Sequence, residues 1–351
     1  MYQKQLISGL TAVTLMVHAS LYSWSNGENV APVQLDNNFP LAYNQQWAVE
    51  ESYLLLKPYM GNMWYGSKEK FKAEGQKVLD KLKIENPEFE WSSGIRMAFS
   101  RYLPNHDDWD FNLTGTYVYS NTNDRTDANP DDNSFFNELL ALDKLLLGNK
   151  GHFNWRLNYW TVDLCVGRLF KMTSQVVFHP YFGLRGSWQY QQSRLKAVSF
   201  SPFDNQEVKG NINNNFWGVG PRFGTHFTFY FEHHFSFLAN FAASLLVGRQ
   251  KLQENDDFKG VTGGLVNVQK TRSHDSFNVI RSNLEGMVGL GWERWVKGGT
   301  VRIAPSVAFE GSLWFAMNQI YGNAVGVNNV GQRRHGNLGL MGVTFNFQVD
   351  F

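Results

Sequence analysis

The chain has 351 residues, 43% hydrophobic and 15% aromatic, enough for one large domain or two small ones. Only 18% are charged and the formal net charge is +1, which argues against nucleic-acid binding and shows no acidic tail. Beyond residue 24 no apolar run approaches the roughly 18 residues that a membrane-spanning helix needs.

Lys4, an apolar stretch over 6–17 and Val17-His18-Ala19 form the pattern of a secretory signal peptide, 1–19, with Ser25 as a second cleavage point. The lone Cys165 excludes an internal disulfide, so an exported chain must be stabilised in another way. Residues 20–45 are rich in Asn, Pro and Gln, show no periodicity, and read as a periplasmic segment.

The third domain element, 46–351, is organised as strands. The first, 46–60, puts Trp47, Val49, Tyr53 and Leu55 on one face, but Glu51 falls among them and Leu54 and Leu56 lie opposite. In 61–89, Phe71, Val78, Leu79 and Leu82 recur at helical spacing among lysines, predicting a loop with a short amphipathic helix. Strands over 90–102 and 109–121 follow, joined tightly. The second of them alternates Trp109, Phe111, Leu113, Tyr117 and Tyr119 with Asp110, Asn112, Thr114, Thr116 and Ser120. A polar stretch leads to 135–147, whose apolar residues recur at three and four and read as helical, with a strand as the alternative.

Further strands are expected over 154–170 and 175–192, then, after a polar loop, over 213–232 and 235–250. A charged loop, 251–275, precedes strands over 276–296 and 300–319. A last loop leads to the C-terminal strand, in which Val343, Phe345, Phe347, Val349 and Phe351 alternate with Thr344, Asn346, Gln348 and Asp350. Connections after odd-numbered strands are long and those after even-numbered ones short. Aromatics collect at strand ends: Trp91, Trp188, Trp217 and Trp314 near the long connections, Trp109, Phe231, Phe235, Trp292 and Trp295 near the short ones. Apolar alternation, two-ended connections and two aromatic girdles predict an all-β fold. It is a transmembrane, antiparallel, up-and-down β-barrel of about ten strands (roughly eight to twelve) in a bacterial outer membrane, with long extracellular loops and short periplasmic turns.

Several stretches also carry a resemblance. His106-Asp107-Asp108-Trp109-Asp110, Pro180-Tyr181-Phe182-Gly183-Leu184-Arg185, Asn214-Asn215-Phe216-Trp217-Gly218-Val219-Gly220-Pro221-Arg222 and Ala242-Ala243-Ser244-Leu245-Leu246-Val247-Gly248-Arg249 occur in order. Over about 47–351 the chain resembles the Legionella-type major outer membrane protein family, whose pore-forming relatives occur in chlamydia-related bacteria. The resemblance implies a porin-like protein and brings no catalytic residues.

With the apolar faces on lipid, Arg96, Asp110, Asp163, His179, Arg185, Arg222, His226, Arg281, Glu285, Glu293, Arg302 and Glu310 are the candidate pore lining. An Arg on the lipid side at the midplane would cost ~2–4 kcal/mol, which favours inward placement. Facing Arg and acid rows either screen solutes by charge or form salt bridges that fill the interior. Ten strands give a backbone radius of roughly 10 Å, leaving a narrow channel or none. The function expected is therefore a narrow channel for small hydrophilic solutes or ions. The alternatives are a plugged structural or adhesive barrel and, as a minor one, an outer-membrane protease using rim Asp and His such as His152, His274 and His335.

No enzyme activity, cofactor, metal site or nucleic-acid partner is expected. His233-His234 reads as a solvated turn. The glycine-rich run at 218–224 lies mid-strand without a following helix, so it reads as room for bulky lumen neighbours rather than a phosphate loop. The expected partners are outer-membrane lipid, small hydrophilic solutes, the barrel-assembly machinery reading Phe351, and in one reading a second copy of the chain.

Overall fold

The computed structural model describes residues 47–71, 79–103, 108–128, 134–138, 147–148, 150–173, 175–200, 204–231, 234–262, 265–296, 300–323 and 331–351. The expected signal peptide and the 20–45 segment lie outside these residues. The wall consists of β1 (Trp47–Met60), β2 (Ser92–Tyr102), β3 (Trp109–Asp127), β4 (Lys150–Arg168) and β5 (Val176–Phe200). It continues with β6 (Asp204–Tyr230), β7 (Phe235–Thr262), β8 (Leu265–Trp292), β9 (Val301–Asn323) and β10 (Gly331–Asp350). Each pairs antiparallel with its chain neighbours, and β10 pairs with β1, so ten strands close a ring. The seam ends in a reciprocal pair: Trp47 N donates to Phe351 O at 3.0 Å, and Phe351 N donates to Trp47 O at 2.9 Å.

The barrel has two storeys. In the lower one, next to the short turns and both ends of the ring, exposed Val162, Leu164, Phe182, Leu184, Phe223, Phe241, Leu245, Val288 and Phe345 form an apolar outer band. Polar side chains point inward there. Higher up, the alternation inverts. In β4, Phe153, Trp155 and Leu157 are buried inside while His152 and Arg156 are exposed outside. In β5, buried Leu195 and Ala197 alternate with exposed Arg194 and Lys196, and in β7 buried Leu252 sits between exposed Lys251 and Gln253. This upper storey has water outside and a packed core within.

The inversion corrects several boundaries. The expected polar loops before residue 213 and over 251–275 are strand for most of their length, because their apolar residues face inward rather than toward lipid. The 28 residues of β7, rising ~3.3 Å each at a ~40° tilt, span about 70 Å, more than twice the ~25 Å apolar band. Where 61–89 is described, short strands, Gly66–Phe71 and Leu79–Glu85, stand on either side of the expected helix, while 72–78 lies outside the described residues. The first of these also pairs with Ser134–Glu138, so the start of the 135–147 stretch is strand as well, while 139–146 lies outside the described residues.

The weak alternation of the first strand has a cause. Ala48, Glu50, Ser52, Leu54 and Leu56 form its inward face, and that face crosses from the polar lower interior into the apolar upper one. Trp314, expected in the outer girdle, is instead fully buried inside, because it shares the inward parity of Arg302, Glu310 and Ser312. Beyond it, β9 bulges between Trp314 and Asn318, and Ala316 adopts a left-handed φ of 52°.

Phe351 is exposed at the foot of the seam, and its backbone makes the last bonds of the closure. Deleting it is expected to lower the assembled fraction in the outer membrane, read as the folded, heat-modifiable band on a gel. An unchanged folded fraction would show that Trp47 closes the ring without it.

Candidate functional site

The lower interior encloses a cavity of about 360 Å³. Its lining runs from Tyr102, Tyr230 and Glu293 near the short-turn end to Tyr159, Leu56 and Leu340. Glycines make space along this wall at two points. A side chain at Gly224 would lie 2.3 Å from the Tyr181 ring, and one at Gly167 would lie 2.3 Å from His179 Nε2. Both rings can therefore lie across the neighbouring strand.

The charged groups meet in four sets. At the first, Arg96 on β2 makes a bidentate pair with Glu310 on β9, Nη1 to Oε2 at 2.9 Å and Nη2 to Oε1 at 2.8 Å. This pair bridges the lumen in front of β1 and β10. In the second, Arg185 donates from Nε and Nη2 to the two oxygens of Asp163 on the adjacent strand, each at 2.6 Å. It also reaches across to β8, donating to Asn283 Oδ1 at 2.7 Å and to Glu285. Arg222 Nη1 lies 2.6 Å from Glu285 Oε2, and its Nε lies 3.6 Å from Asp163. Two arginines and two carboxylates thus form one neutral cluster. In the third set, near the foot, Arg302 holds Glu293 at 2.9 Å and Asp350. His179 Nε2 and Asp110 Oδ2 are 2.6 Å apart on the opposite wall.

Arg96, Asp110, Asp163, His179, Arg185, Arg222, His226, Glu285, Glu293, Arg302 and Glu310 therefore all border the cavity. Arg281 does not. It is buried higher, where its guanidinium donates to Gln250 Oε1 beside the apolar layer. Sequence reasoning missed Glu50, Tyr102, Tyr181 and Tyr230 as lining residues, and Asp350 as the partner of Arg302. For Glu50 and Asp350 the signal was available: both belong to the polar rows of the strands that meet at the seam, where Ala48 faces Asp350 and Glu50 faces Gln348.

Above the cavity the interior is closed. Trp314, Trp155, Leu157, Leu54, Leu246, Leu252 and Met317 are all less than 2% exposed. Trp314 Nε1 donates to Tyr159 Oη at 3.3 Å, and the Met317 carbonyl at the bulge accepts from Asn214 and Gln250. Residues of the connection after β1 then cap the top. Tyr65 stacks on Phe153 with centroids 5.0 Å apart and bonds Thr126 at 2.7 Å, while Phe89 meets Trp155 edge-on at 4.9 Å. The rim histidines do not converge: His152 and His274 are exposed on the outer faces of β4 and β8.

A closed ring with an apolar outer band and a polar lower interior defines an outer-membrane β-barrel protein. The family model described as Legionella pneumophila major outer membrane protein precursor matches residues 40–351, and the chain belongs to that family. Among curated proteins none matches. The outer membrane protease OmpT from Escherichia coli is a similar solved structure, with 10% identity, a TM-score of 0.38, and coverage of 92% of this chain and 99% of that one. A FadL homologue from Pseudomonas aeruginosa gives 8% identity, a TM-score of 0.28, and coverage of 92% and 96%.

The central cluster yields a prediction. Arg185 is 3% exposed and is the only member bonded to both Asp163 and Glu285 by hydrogen bonds. Arg185→Ala would leave buried carboxylates uncompensated and is expected to destabilise the barrel by about 3–5 kcal/mol. Urea unfolding of the refolded protein measures this, and a loss below about 1 kcal/mol would show that Arg222 alone neutralises the pair.

Proposed function

We propose that the protein is a porin-like channel for small hydrophilic solutes or ions, with the charged cavity as its selective vestibule and the apolar layer above it as its gate. The observation that carries this reading is the junction of the two. A lumen holding Arg96, Arg185, Arg222 and Arg302 against a similar number of acids ends abruptly at Trp314, Tyr159 and Leu340. Facing rows of opposite charge orient water and hold ions of either sign in passage, while an apolar constriction blocks conduction by excluding water until it widens. Opening requires two movements: withdrawal of Met63, Tyr65 and Phe89 from the top, and a shift of β9 at its bulge.

A second reading is favoured by the same seal. If the layer never opens, the barrel is a structural or adhesive scaffold that holds its outer sheets above the membrane, where Leu82 and Ile84 are 55% and 52% exposed.

Planar-bilayer recording separates the two. The wild-type protein is expected to give small, infrequent conductance steps, and Trp314→Ala larger or more frequent ones, because it removes one of the two largest side chains of the gate. Absence of steps from both folded proteins would leave only the scaffold. Arg222→Ala removes one cation from a cluster that keeps both carboxylates, so the reversal potential in a salt gradient is expected to move toward cation selectivity. An unchanged reversal potential would remove this cluster from the conduction path.

A further inference from the structure

The outer surface changes character at the top edge of the apolar band. On β4 to β8 the band ends at Trp160, Tyr190, Trp217, Val247 and Ile280, all exposed. In the next outward positions stand exposed Arg156, Arg194, Arg249 and Lys251, separated by Asn158, Gln192, Asn213 and Asn215. The strand registers put Arg156 opposite Gln192, two residues before Arg194 on β5, and across β6 they put Arg249 opposite Trp217 and Lys251 opposite Asn215. Among the described residues none of the four cations has a carboxylate partner. Arg156 bonds Asn121 and Arg249 bonds Ser276, both neutral.

Other outward cations do find partners. Higher on the same wall Lys196 and Lys209 both reach Glu207, at 2.9 and 3.3 Å, and hold its carboxyl below the ordinary carboxylate range. At the opposite edge of the band the cations rest on rings, with Arg101 4.6 Å from Trp47 and Arg168 5.1 Å from Phe170. The upper edge of this wall thus presents cations beside amides and, among the described residues, no carboxylate answers their charge. Phosphate is the group that suits them: it accepts from guanidinium, ammonium and amide donors together, and anionic headgroups attract basic residues placed at their depth.

We propose that β4 to β8 carry a binding site for a phosphorylated lipid of the outer leaflet. Its phosphate lies among Arg156, Arg194, Arg249 and Lys251, and its acyl chains run down the wall below Trp160 and Trp217. The apolar band and the basic row are contiguous, so one amphiphile satisfies both. A free phosphate ion would use only the upper half.

The test uses the full-length refolded protein in zwitterionic detergent and measures lipid retention by native mass spectrometry. The probes are bisphosphorylated lipid A, the same lipid enzymatically dephosphorylated, and inorganic phosphate. Wild type is expected to retain lipid A at least about tenfold better than its dephosphorylated form, and the combined R194Q, R249Q and K251Q variant to lose that preference. K259Q, a cation farther up β7, is expected to behave as wild type. Equal retention of the two lipids by wild type overturns the proposal without requiring any variant to fold. So does a folded triple variant that keeps the preference, or inorganic phosphate that displaces lipid A, since the site would then serve the anion alone.

Discussion

Backbone hydrogen bonding without water is the constraint on which the rest depends. In lipid every wall N–H and C=O needs a protein partner, and a sheet meets that condition only when no edge remains. Here the last edge is removed where Trp47 meets Phe351. Once the ring is closed, side-chain parity is set for every strand, and the chemistry of the interior follows from which residues share the parity of Asp163, Arg185 and Glu310. A one-residue slip anywhere in the ring would turn those charges toward the hydrocarbon.

Inside, the charges have been brought to near neutrality by geometry rather than by distance from one another. Arg185 and Arg222 share Asp163 and Glu285, so each carboxylate is held by two cations and each cation by two carboxylates. Burying such a cluster gains little stability over an apolar filling of the same volume. Its retention in a wall only ten strands around is therefore better explained by a requirement for a polar lumen than by packing.

Much of this was legible in the sequence, because period-two alternation with long apolar side chains is hard to produce by chance in strand after strand. Strand number, parity and the inward direction of Arg185 or Glu310 could all be read that way. What was not legible has a common origin. The reading assumed one rule, apolar outward, for the whole length of each strand. Above the membrane the rule reverses, so Leu195, Leu252 and Phe153 mark the inside, and runs such as 251–259 look like charged loop. Trp314 departs from the expected girdle for the same reason, since its parity puts it in the core. The capping of the barrel by Tyr65 and Phe89 depends on contacts distant in sequence, with Phe153 and Trp155, that no local pattern encodes.

The two reversals coincide in height, and that coincidence explains why the apolar layer lies where it does. On β4 the outer face turns polar after Trp160, at Asn158, while the inner face turns apolar from Tyr159 to Leu157. On β7 the outside turns at Arg249 and the inside is apolar again at Leu246 and Leu252. Within the membrane the outer wall is solvated by hydrocarbon, so the interior is free to hold water and charge. Above it the wall stands in water on the outside, and only an apolar interior can hold the strands together by burial. The seal across the lumen is thus the foot of the upper core. The packing that fills the interior at Trp314 is also the packing that keeps the projecting hairpins upright, so the interior at this height and the extracellular strands form one structural unit.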